Sequence, residues 1–290
     1  LIDNHCDYNK MLGEAHFQIR PQPFLSAVTV GCIENARDNT MGGAKYNSSG
    51  SFNDGLADLT DSMLSSRNFV FDDQVGNFSE MKRAMDDNFE HAPELLARIK
   101  NKLNLFGSGD DTAVEMANRL IAGIHKCYSR HRDFRNGKYM TGYWSVAFHA
   151  TFGVLSGALP SGRLRGKSFT PGLTPQPRAS RNVLDNLRDV AKLDPQYLEN
   201  NIAFNVKYVP DANDSREEAI NTISSYVKTF FDLGGMQLQF NMVDSETLKD
   251  AMAHPENYRD LIVRISGYNA YFTKLSKDLQ IEIIERSEFC

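Results

Sequence analysis

The sequence predicts a mixed α/β fold, and two features of its second half support this prediction. A helix over 182–193 precedes a strand candidate over 202–209, whose residues alternate and are rich in β-branched types. A helix over 215–231 then leads into a second alternating segment, 236–243. Two strands joined through a helix imply a parallel pair with a right-handed crossover. With 290 residues, 41% of them hydrophobic, the chain is long enough to bury a core in one or two domains.

The first half of the chain is predicted to be mainly helical. Segments 54–66 and 78–89 have helical patterns, and 93–104 begins with a proline, a common first helical residue. The clearest helix covers 111–133, because Asp110 precedes it as a cap and apolar residues recur in it at helical spacing. These residues are Val114, Ala117, Ile121 and Ile124.

Two stretches are predicted to be loops. Residues 38–55 are polar and rich in glycine and serine, and residues 142–177 are dense in Gly, Pro, Ser and Thr. Long loops in compact proteins are often functional. Both stretches are therefore possible locations for a site.

The C-terminal region adds three predicted features. The helix over 215–231 begins with the Ser-x-x-Glu spacing of a capping box, and a short helix covers 245–253. The apolar segment 262–265 leads into a glycine loop. The final helix is predicted to carry Phe272, Leu275, Leu279 and Ile283 on one face.

Charge and composition exclude several classes of function. The net charge of −5, from 32 basic and 37 acidic residues, provides no basic field for nucleic acid or a membrane surface. No apolar run approaches the roughly 18 residues of a membrane span, and no signal-peptide pattern opens the chain. The four cysteines lack the spacing of a zinc site or a disulfide framework. We therefore expect reduced thiols, a cytoplasmic location and no bound metal.

Two short stretches carry the most specific chemistry. Residues 263–268 read Val-Arg-Ile-Ser-Gly-Tyr, and residues 31–34 read Gly-Cys-Ile-Glu. A glycine can hold an unpaired electron on its α-carbon, because without a side chain the radical lies flat and delocalises into both amides. A cysteine sulfur is a natural relay, since its weak S–H bond exchanges hydrogen with the glycine and with a substrate. The two stretches resemble the radical-bearing loop and the thiyl-cysteine loop of glycyl radical enzymes.

Further matches to this family follow in order along most of the chain after about residue 20. They are Gly42 to Asn47, Gly107 to Asp111, Gly157 to Arg163, Gly235, Gln239 to Asn241, the Pro255–Tyr258 turn and Gln280 to Ile284. The first of these resembles the glycerol and propanediol dehydratase branch. The residues beside Cys32 are Gly31 and Ile33 rather than a second cysteine, which argues against the acetyl transfer of pyruvate formate-lyases. Residues 166–175 depart from the family pattern, so the branch does not fix the substrate.

The resemblance implies a fold and a domain organisation. Members of the family form a ten-stranded α/β barrel from two half-barrels, with the Cys and Gly finger loops meeting inside it. This chain resembles the C-terminal half, with the thiyl-cysteine part of the barrel over 1–180 and the glycyl radical domain over 181–290. Its sequence opens without Met, and it is expected to be either a split chain or one piece of a longer one. The expected partners are an N-terminal half-barrel, an activating enzyme and a small-molecule substrate, and the complete enzyme is expected to dimerise.

The resemblance also implies a mechanism. An activating enzyme of the radical S-adenosylmethionine type would create a glycyl radical on Gly267, and that radical would convert Cys32 to a thiyl. Glu34 would act as a base while water or another small group leaves the substrate. The expected supporting residues are Arg264, Ser266 and Tyr268 in the glycine loop, and Tyr46 and Asn47 near the cysteine loop.

Other interpretations stay open at this point. Gly267 alone would also suit a simple turn, Cys32 a buried apolar position, and Glu34 a salt bridge. Arg264 suits a surface position equally well, and His149 is predicted to pack. At the level of function, the alternatives are a radical decarboxylase of an aryl acetate, a subunit that only carries a radical, and an inactive remnant.

Overall fold

The computed structural model describes residues 1–211, 213–286 and 288–289. The chain folds into two compact units. The first unit comprises Leu1–Phe52, Leu120–Gly142 and Gln196–Asn201, and the second comprises Asn53–Arg119, Tyr143–Pro195 and the chain from Ile202 onward. This geometric division does not test the predicted boundary at residue 180, which stays a prediction.

The first half of the chain is mainly helical, and short strands are more frequent after residue 200. The helices are α1 (Ile2–Ile19), α2 (Pro23–Ala27), α3 (Leu56–Arg67), α4 (Phe78–Asp86), α5 (Pro93–Lys102), α6 (Asp111–Tyr128), α7 (Phe148–Leu155), α8 (Val183–Ala191), α9 (Arg216–Asp232), α10 (Ser245–Ala253) and α11 (Lys277–Glu285). The strands are β1 (Ser48–Phe52), β2 (Lys138–Gly142), β3 (Asn205–Tyr208), β4 (Gln239–Asn241), β5 (Ile262–Arg264), β6 (Asn269–Tyr271) and β7 (Glu288–Phe289). None of the described helices is both long and apolar enough to cross a bilayer.

The first unit is built around one parallel strand pair. Strand β1 pairs with β2 in a register that runs from Ser48 opposite Lys138 to Phe52 opposite Gly142. Helix α1 buries Cys6 against Tyr128 and Tyr139. The Tyr139 hydroxyl donates to the Cys6 carbonyl at 3.1 Å. Helix α1 is thereby fixed to the strand pair.

The second unit contains a three-stranded parallel sheet in which β3 lies between β4 and β7. Helix α9 connects β3 to β4, so the predicted strand–helix–strand unit with parallel strands is confirmed. All four residues of β3 are buried, as expected for a parallel strand covered on both faces. One of them is Lys207, whose Nζ lies 3.1 Å from the Glu288 carboxylate. Burial lowers the pKa of Lys207.

An antiparallel hairpin of β5 and β6 packs on the apolar core formed by α10 and α11. Its register places Ile262 opposite Tyr271 and Arg264 opposite Asn269. Val263 and Ile265 point into a cluster of buried residues that includes Leu248, Ala251, Phe272, Leu279 and Ile283. This apolar contact holds the base of the hairpin, while its tip carries the sequence Ser-Gly-Tyr.

The predicted helix caps are confirmed. The Asp110 carboxylate accepts hydrogen bonds from the amides of Thr112 (2.8 Å) and Ala113 (3.2 Å) at the start of α6. At the start of α9, the Glu218 amide donates to the Ser215 hydroxyl at 3.2 Å and the Ser215 amide donates to the Glu218 carboxylate at 2.8 Å. These reciprocal bonds satisfy amides that a helix terminus otherwise leaves unpaired.

The structure also explains why glycine occupies positions 107 and 109 before α6. Gly107 and Gly109 have φ values of +95° and +83°, which favour glycine. Their amides converge on one buried carboxylate oxygen of Asp189, at 3.0 and 2.9 Å. The segment is therefore a backbone nest for the Asp189 carboxylate of α8.

Two predicted loops are wrong in part. The stretch 38–55 contains β1, a strand that its composition does not favour but that the pairing with β2 stabilises. The stretch 142–177 contains α7, whose C-terminal carbonyls are bonded by Arg163. The Arg163 guanidinium donates to the carbonyl of Gly153 in the last turn of α7, at 3.1 Å, and to that of Gly157, just beyond the helix, at 2.6 Å. Cations at a helix C-terminus are stabilising.

Several element bounds also differ from the predictions. Helix α6 ends at Tyr128 rather than 133, because the Asp133 carboxylate accepts amide bonds from Arg135 (3.0 Å) and Gly137 (2.7 Å) and forms a turn. The last helix begins at Lys277, and Phe272–Lys274 form a 3₁₀ turn before it. Strands β3 and β4 are shorter than predicted, and α1 was not predicted.

Candidate functional site

Gly267 lies at the tip of the β5–β6 hairpin in the second unit. Its φ is +93°, and a Cβ placed on it would meet no described atom within 4 Å beyond its chain neighbours. The Ile265 amide donates to the Tyr268 carbonyl at 3.0 Å, which closes the loop around the glycine. The α-carbon of Gly267 is thus presented without steric obstruction on a backbone conformation that L-residues rarely adopt.

Arg264 holds the N-terminal side of this loop to the neighbouring strand. Its Nε donates to Gln239 Oε1 at 2.7 Å, and its amide donates to Asn241 Oδ1 at 2.7 Å. Asn241 Nδ2 donates back to the Arg264 carbonyl at 2.7 Å, and Arg264 Nη1 reaches Asn269 Oδ1 at 3.1 Å. The side chain is half-buried and bonded on both sides, so a free surface position is wrong.

Ser266 and Tyr268 flank Gly267 in different ways. Ser266 is 2% exposed, and its hydroxyl accepts a hydrogen bond from the Ser145 amide at 3.3 Å. Tyr268 packs against the apolar cluster below the hairpin, and its burial raises the pKa of the phenol. Each neighbour of Gly267 is therefore anchored in the second unit, while the glycine itself is exposed.

Cys32 lies in a tight turn of the first unit, after α2. It is 3% exposed, its amide donates to the Thr29 carbonyl at 3.2 Å, and its carbonyl accepts from the Arg37 amide at 3.0 Å. The preceding Gly31 has a φ of +98°, and a Cβ there would lie 2.5 Å from the Lys45 amide nitrogen. Only glycine fits this close approach.

A second segment packs against this turn. The Lys45 amide donates to the Val30 carbonyl at 2.8 Å, and Asn35 Nδ2 donates to the Gly43 carbonyl at 2.9 Å. A Cβ on Gly43 would lie only 2.0 Å from the Arg37 carbonyl oxygen. The glycine-rich segment therefore supports the cysteine turn by direct backbone contact.

The predicted supporting residues of the first unit differ in their contacts. Asn47 Nδ2 donates to the carbonyls of Gly42 (3.2 Å) and Ala44 (2.7 Å), so it folds the glycine-rich segment. Tyr46 is 85% exposed, and its ring lies 5.5 Å from Lys45 Nζ. Asn47 thus has an evident structural role, whereas the ring of Tyr46 lies exposed on the surface of the first unit.

Glu34 is exposed and lies on the same turn as Cys32. One carboxylate oxygen accepts a hydrogen bond from the Gly31 amide at 3.0 Å. Glu34 is therefore oriented by the backbone of the loop that carries Cys32.

Sequence reasoning missed the residue that organises the cysteine turn, Asp38. Its carboxylate accepts from the Gln22 amide (3.0 Å), the Ser26 hydroxyl (2.8 Å) and the Thr40 amide (2.8 Å) and hydroxyl. Hydrogen bonding by the Thr40 hydroxyl, helped by that of Ser26, lowers the pKa of Asp38 to about 2. The available signal was a carboxylate two residues before a threonine, the local pattern of an Asx turn.

Residues 125–131, which include two histidines and a cysteine, pair with neighbours in the first unit. His131 Nε2 lies 2.7 Å from the Asp3 carboxylate, and His125 Nδ1 lies 3.5 Å from that of Glu199. Among the residues that the structure describes, no group of three or more His, Cys, Asp or Glu side chains is arranged to hold a metal ion.

A cavity of about 380 Å³ lies within the second unit. Its wall includes Lys167 to Pro171, Thr174 and Pro175, which belong to segment 166–175, predicted above to depart from the family pattern. More cations than anions line it: Lys100, Arg163, Lys167, Arg178, Lys207 and Arg286 against Asp58, Glu282 and Glu285. Segment 166–175 therefore lines a partly open space whose wall is mainly apolar but carries several charged side chains.

Comparison with known proteins identifies the family. Residues 1–153 match the family described as pyruvate formate lyase-like, and residues 169–273 match the glycine radical domain. The first match covers more than half of the chain, and the second includes Gly267. The chain belongs to the pyruvate formate lyase-like family of glycyl radical enzymes.

Individual relatives agree with this assignment. The chain is 29% identical over 289 residues to trans-4-hydroxy-L-proline dehydratase of Clostridioides difficile, a match that covers 99% of this chain and 36% of that protein. It is 30% identical to indoleacetate decarboxylase of Tractidigestivibacter scatoligenes, with 93% and 34% covered. The chain thus spans about a third of the length of these relatives.

Solved structures confirm the predicted fold class. Hydroxyproline dehydratase from Clostridioides difficile superposes with a TM-score of 0.94 at 29% identity and covers 99% of this chain and 36% of that one. The B12-independent glycerol dehydratase from Clostridium butyricum gives a TM-score of 0.91 at 32% identity, with 97% and 36% covered. The similarity to dehydratases that residues 42–47 predicted is therefore found over nearly the whole chain.

Proposed function

We propose that this chain carries the radical glycine and the thiyl cysteine of a glycyl radical lyase. The supporting observation is the setting of Gly267 within the matched glycine radical domain. Its backbone is held on both sides, while its α-carbon is unobstructed and exposed. A radical site needs this combination, because the α-carbon has to be reached by the group that removes its hydrogen and must then keep a fixed, flat geometry.

The proposed reaction begins with loss of one hydrogen atom from the Gly267 α-carbon to a radical S-adenosylmethionine activating enzyme. The Gly267 radical takes the hydrogen of the Cys32 S–H bond, which restores the glycine and leaves a thiyl. The thiyl removes a hydrogen atom from a substrate carbon, and the neighbouring hydroxyl gives its proton to Glu34. A leaving group departs, and Cys32 S–H returns a hydrogen atom to the product radical, so the thiyl is regenerated.

The surroundings of Cys32 support this assignment. The turn is braced by backbone contacts and keeps the side chain buried, which protects a reactive sulfur from water and oxygen. Glu34 is oriented on the same turn by the Gly31 amide. A positioned carboxylate contributes typically 10²–10⁴-fold through proton transfer. With Gly31 and Ile33 as its neighbours, Cys32 has no adjacent thiol for acetyl transfer.

The substrate is proposed to be a small polar molecule that loses water or a similar group. Relatives named for dehydration of hydroxyproline and of a sulfonated propanediol cover 99% of this chain. The charged side chains on the wall of the second unit's cavity, part of which is formed by segment 166–175, suggest a selectivity for polar groups. Because the relatives are about three times longer, turnover is proposed to need a further half-barrel, in a cytoplasmic, anaerobic and dimeric enzyme.

Anaerobic activation tests the radical directly. The polypeptide, together with the chain or segment that supplies the rest of the barrel, is incubated with an activating enzyme and S-adenosylmethionine. The expected electron paramagnetic resonance spectrum is a glycine-centred doublet. Exposure to oxygen should then cleave the backbone near Ser266–Gly267, which mass spectrometry detects. Absence of both signals after activation of a folded protein would contradict the proposal.

Two substitutions separate the roles of the cysteine turn. Cys32→Ser should keep the doublet and abolish turnover, whereas Cys127→Ser, a matched change of another free cysteine, should preserve both. Glu34→Gln should keep the doublet and reduce turnover by roughly 10²–10⁴-fold. Turnover of Cys32→Ser at the wild-type rate would exclude the thiyl step.

A decarboxylase is the second candidate, supported by the 30% identity to indoleacetate decarboxylase. The two candidates differ in their products. A panel of vicinal diols and hydroxylated amino acids should yield dehydrated products, and a parallel panel of aryl acetates should yield none. Release of carbon dioxide from an aryl acetate would favour the second candidate.

A further inference from the structure

A buried polar network lies behind the glycine hairpin, and the proposed mechanism does not use it. Its centre is Glu282 on α11, which is 8% exposed. Arg286, one turn later, donates to both Glu282 carboxylate oxygens at 2.8 Å. His149 on α7 is fully buried, and its Nε2 lies 3.3 Å from a Glu282 oxygen.

One arm of the network reaches the hairpin through the arginine. Arg286 Nη1 donates to the Arg264 carbonyl at 3.1 Å, and Nη2 donates to the Ile265 carbonyl at 3.1 Å. These carbonyls belong to the second and third residues before Gly267. The Glu282 carboxylate orients the guanidinium so that its remaining donors point at the hairpin backbone.

The other arm reaches the hairpin through the histidine. His149 Nδ1 and the Ser145 hydroxyl are 2.7 Å apart, and both residues are 0% exposed. The Ser145 amide donates to the Ser266 hydroxyl at 3.3 Å. This arm therefore ends on the residue immediately before Gly267.

We propose that Glu282 is a positioning residue for the radical loop, because its carboxylate joins the two tethers that end on residues 264–266. The consequence for the radical rests on the proposed function of Gly267, whereas the tethering does not. Burial raises the pKa of Glu282, but Arg286 and His149 outweigh this effect and lower it to about 2. The carboxylate therefore stays charged, so the Arg286 tether is charge-assisted, while His149 Nε2 contacts the carboxylate at ion-pair distance.

A purely structural interpretation is that Glu282 in α11 and Arg286, the residue that follows the helix, form an ordinary pair one turn apart. The two interpretations predict that a substitution of Glu282 affects different parts of the structure. A local pair would affect α11 alone. If Glu282 is a shared tether, its loss should speed exchange of the hairpin amides and shorten the lifetime of the radical.

Hydrogen–deuterium exchange of the unactivated protein tests the tether. Glu282→Gln should speed exchange of the Arg264 and Ile265 amides by roughly 10- to 100-fold, the effect of losing one or two hydrogen bonds to a charged group. Glu288→Gln, which removes a charge from the Lys207 pair in the same unit, is the matched control and should leave these amides unchanged. Equal effects of both variants on the hairpin would overturn the proposal.

Single-arm variants keep the test valid if Glu282→Gln does not fold. Arg286→Lys should loosen residues 264–265, and His149→Gln should loosen Ser266. When Arg286→Lys and His149→Gln are combined in one protein, their effects should be less than additive, because the arms act through one carboxylate. Additive effects would show independent contacts and overturn the shared role.

The activated enzyme supplies the second readout. Under anaerobic conditions the Glu282→Gln radical should decay several-fold faster than the wild-type radical, with the hyperfine splitting of the glycine doublet retained. Faster amide exchange with an unchanged radical lifetime would overturn the positioning role. Faster exchange in a protein whose wild type forms no radical would support the tether and refute the function proposed for Gly267.

Discussion

Gly267→Ala separates the chemistry of the loop from its folding, because the structure predicts a small and calculable cost. An added Cβ at Gly267 would meet no described atom within 4 Å beyond the chain neighbours, so no steric clash contributes. The cost comes from holding alanine at a φ of +93°, about 1–3 kcal/mol. Alanine also restricts the unfolded chain and recovers about 0.4–1 kcal/mol. The net loss should therefore lie between about 0 and 2.6 kcal/mol.

Urea unfolding and electron paramagnetic resonance together check this prediction. The variant should unfold cooperatively at a slightly lower urea concentration and should give no glycine doublet after activation. Gly31→Ala is the informative contrast, because its Cβ would lie 2.5 Å from a backbone nitrogen and disturb the cysteine turn. A loss above about 4 kcal/mol for Gly267→Ala would refute the steric argument, and a surviving doublet would refute the assignment of the radical.

Three further predictions concern the supporting structure. Gly43→Ala should expose the loop cysteine to thiol reagents at a much higher rate, because its Cβ would collide with the Arg37 carbonyl oxygen at 2.0 Å; unchanged labelling would contradict this. Asp38→Asn should cost about 1–3 kcal/mol near pH 7. Hydrogen bonding by Thr40 holds the folded pKa of Asp38 at about 2, below the unfolded value of about 3.9, so this stabilisation is present above about pH 4 and lost as pH falls towards 2, as urea midpoints across pH would show. Asp189→Ala should cost on the order of 3 kcal/mol in chemical unfolding, since one buried and one partly buried amide lose their acceptor; a loss below 1 kcal/mol would refute that role.

The sequence was sufficient wherever the structural signal is local. The α9 capping box, the Asp110 cap and the apolar spacing in α6 depend on residues within a few positions of each other, and all are found in the structure. The loop around Gly267 is likewise encoded locally. An apolar strand enters it, and a glycine marks the turn.

The failures arise where a distant partner decides the conformation. Strand β1 is a serine- and glycine-rich segment that becomes a strand only by pairing with β2, far along the chain. Helix α7 is short and ends at carbonyls that Arg163 satisfies. The tether of Glu282 to His149 likewise joins α11 to α7, and no spacing within either helix indicates it.

The same arrangement protects both candidate loops, although they belong to different units. In the hairpin, the tethers bind Arg264, Ile265 and Ser266, and none of them binds Gly267 itself. In the cysteine turn, hydrogen bonds of the Cys32 backbone amide and carbonyl fix the position of the residue. The sulfur does not have to make a hydrogen bond to be positioned. A radical centre that changes its bonding in every cycle is best held through adjacent atoms that do not change. Substitution of residues that position the two loops should therefore alter the lifetime of the radical. Substitution of Gly267 or Cys32 should abolish the reaction.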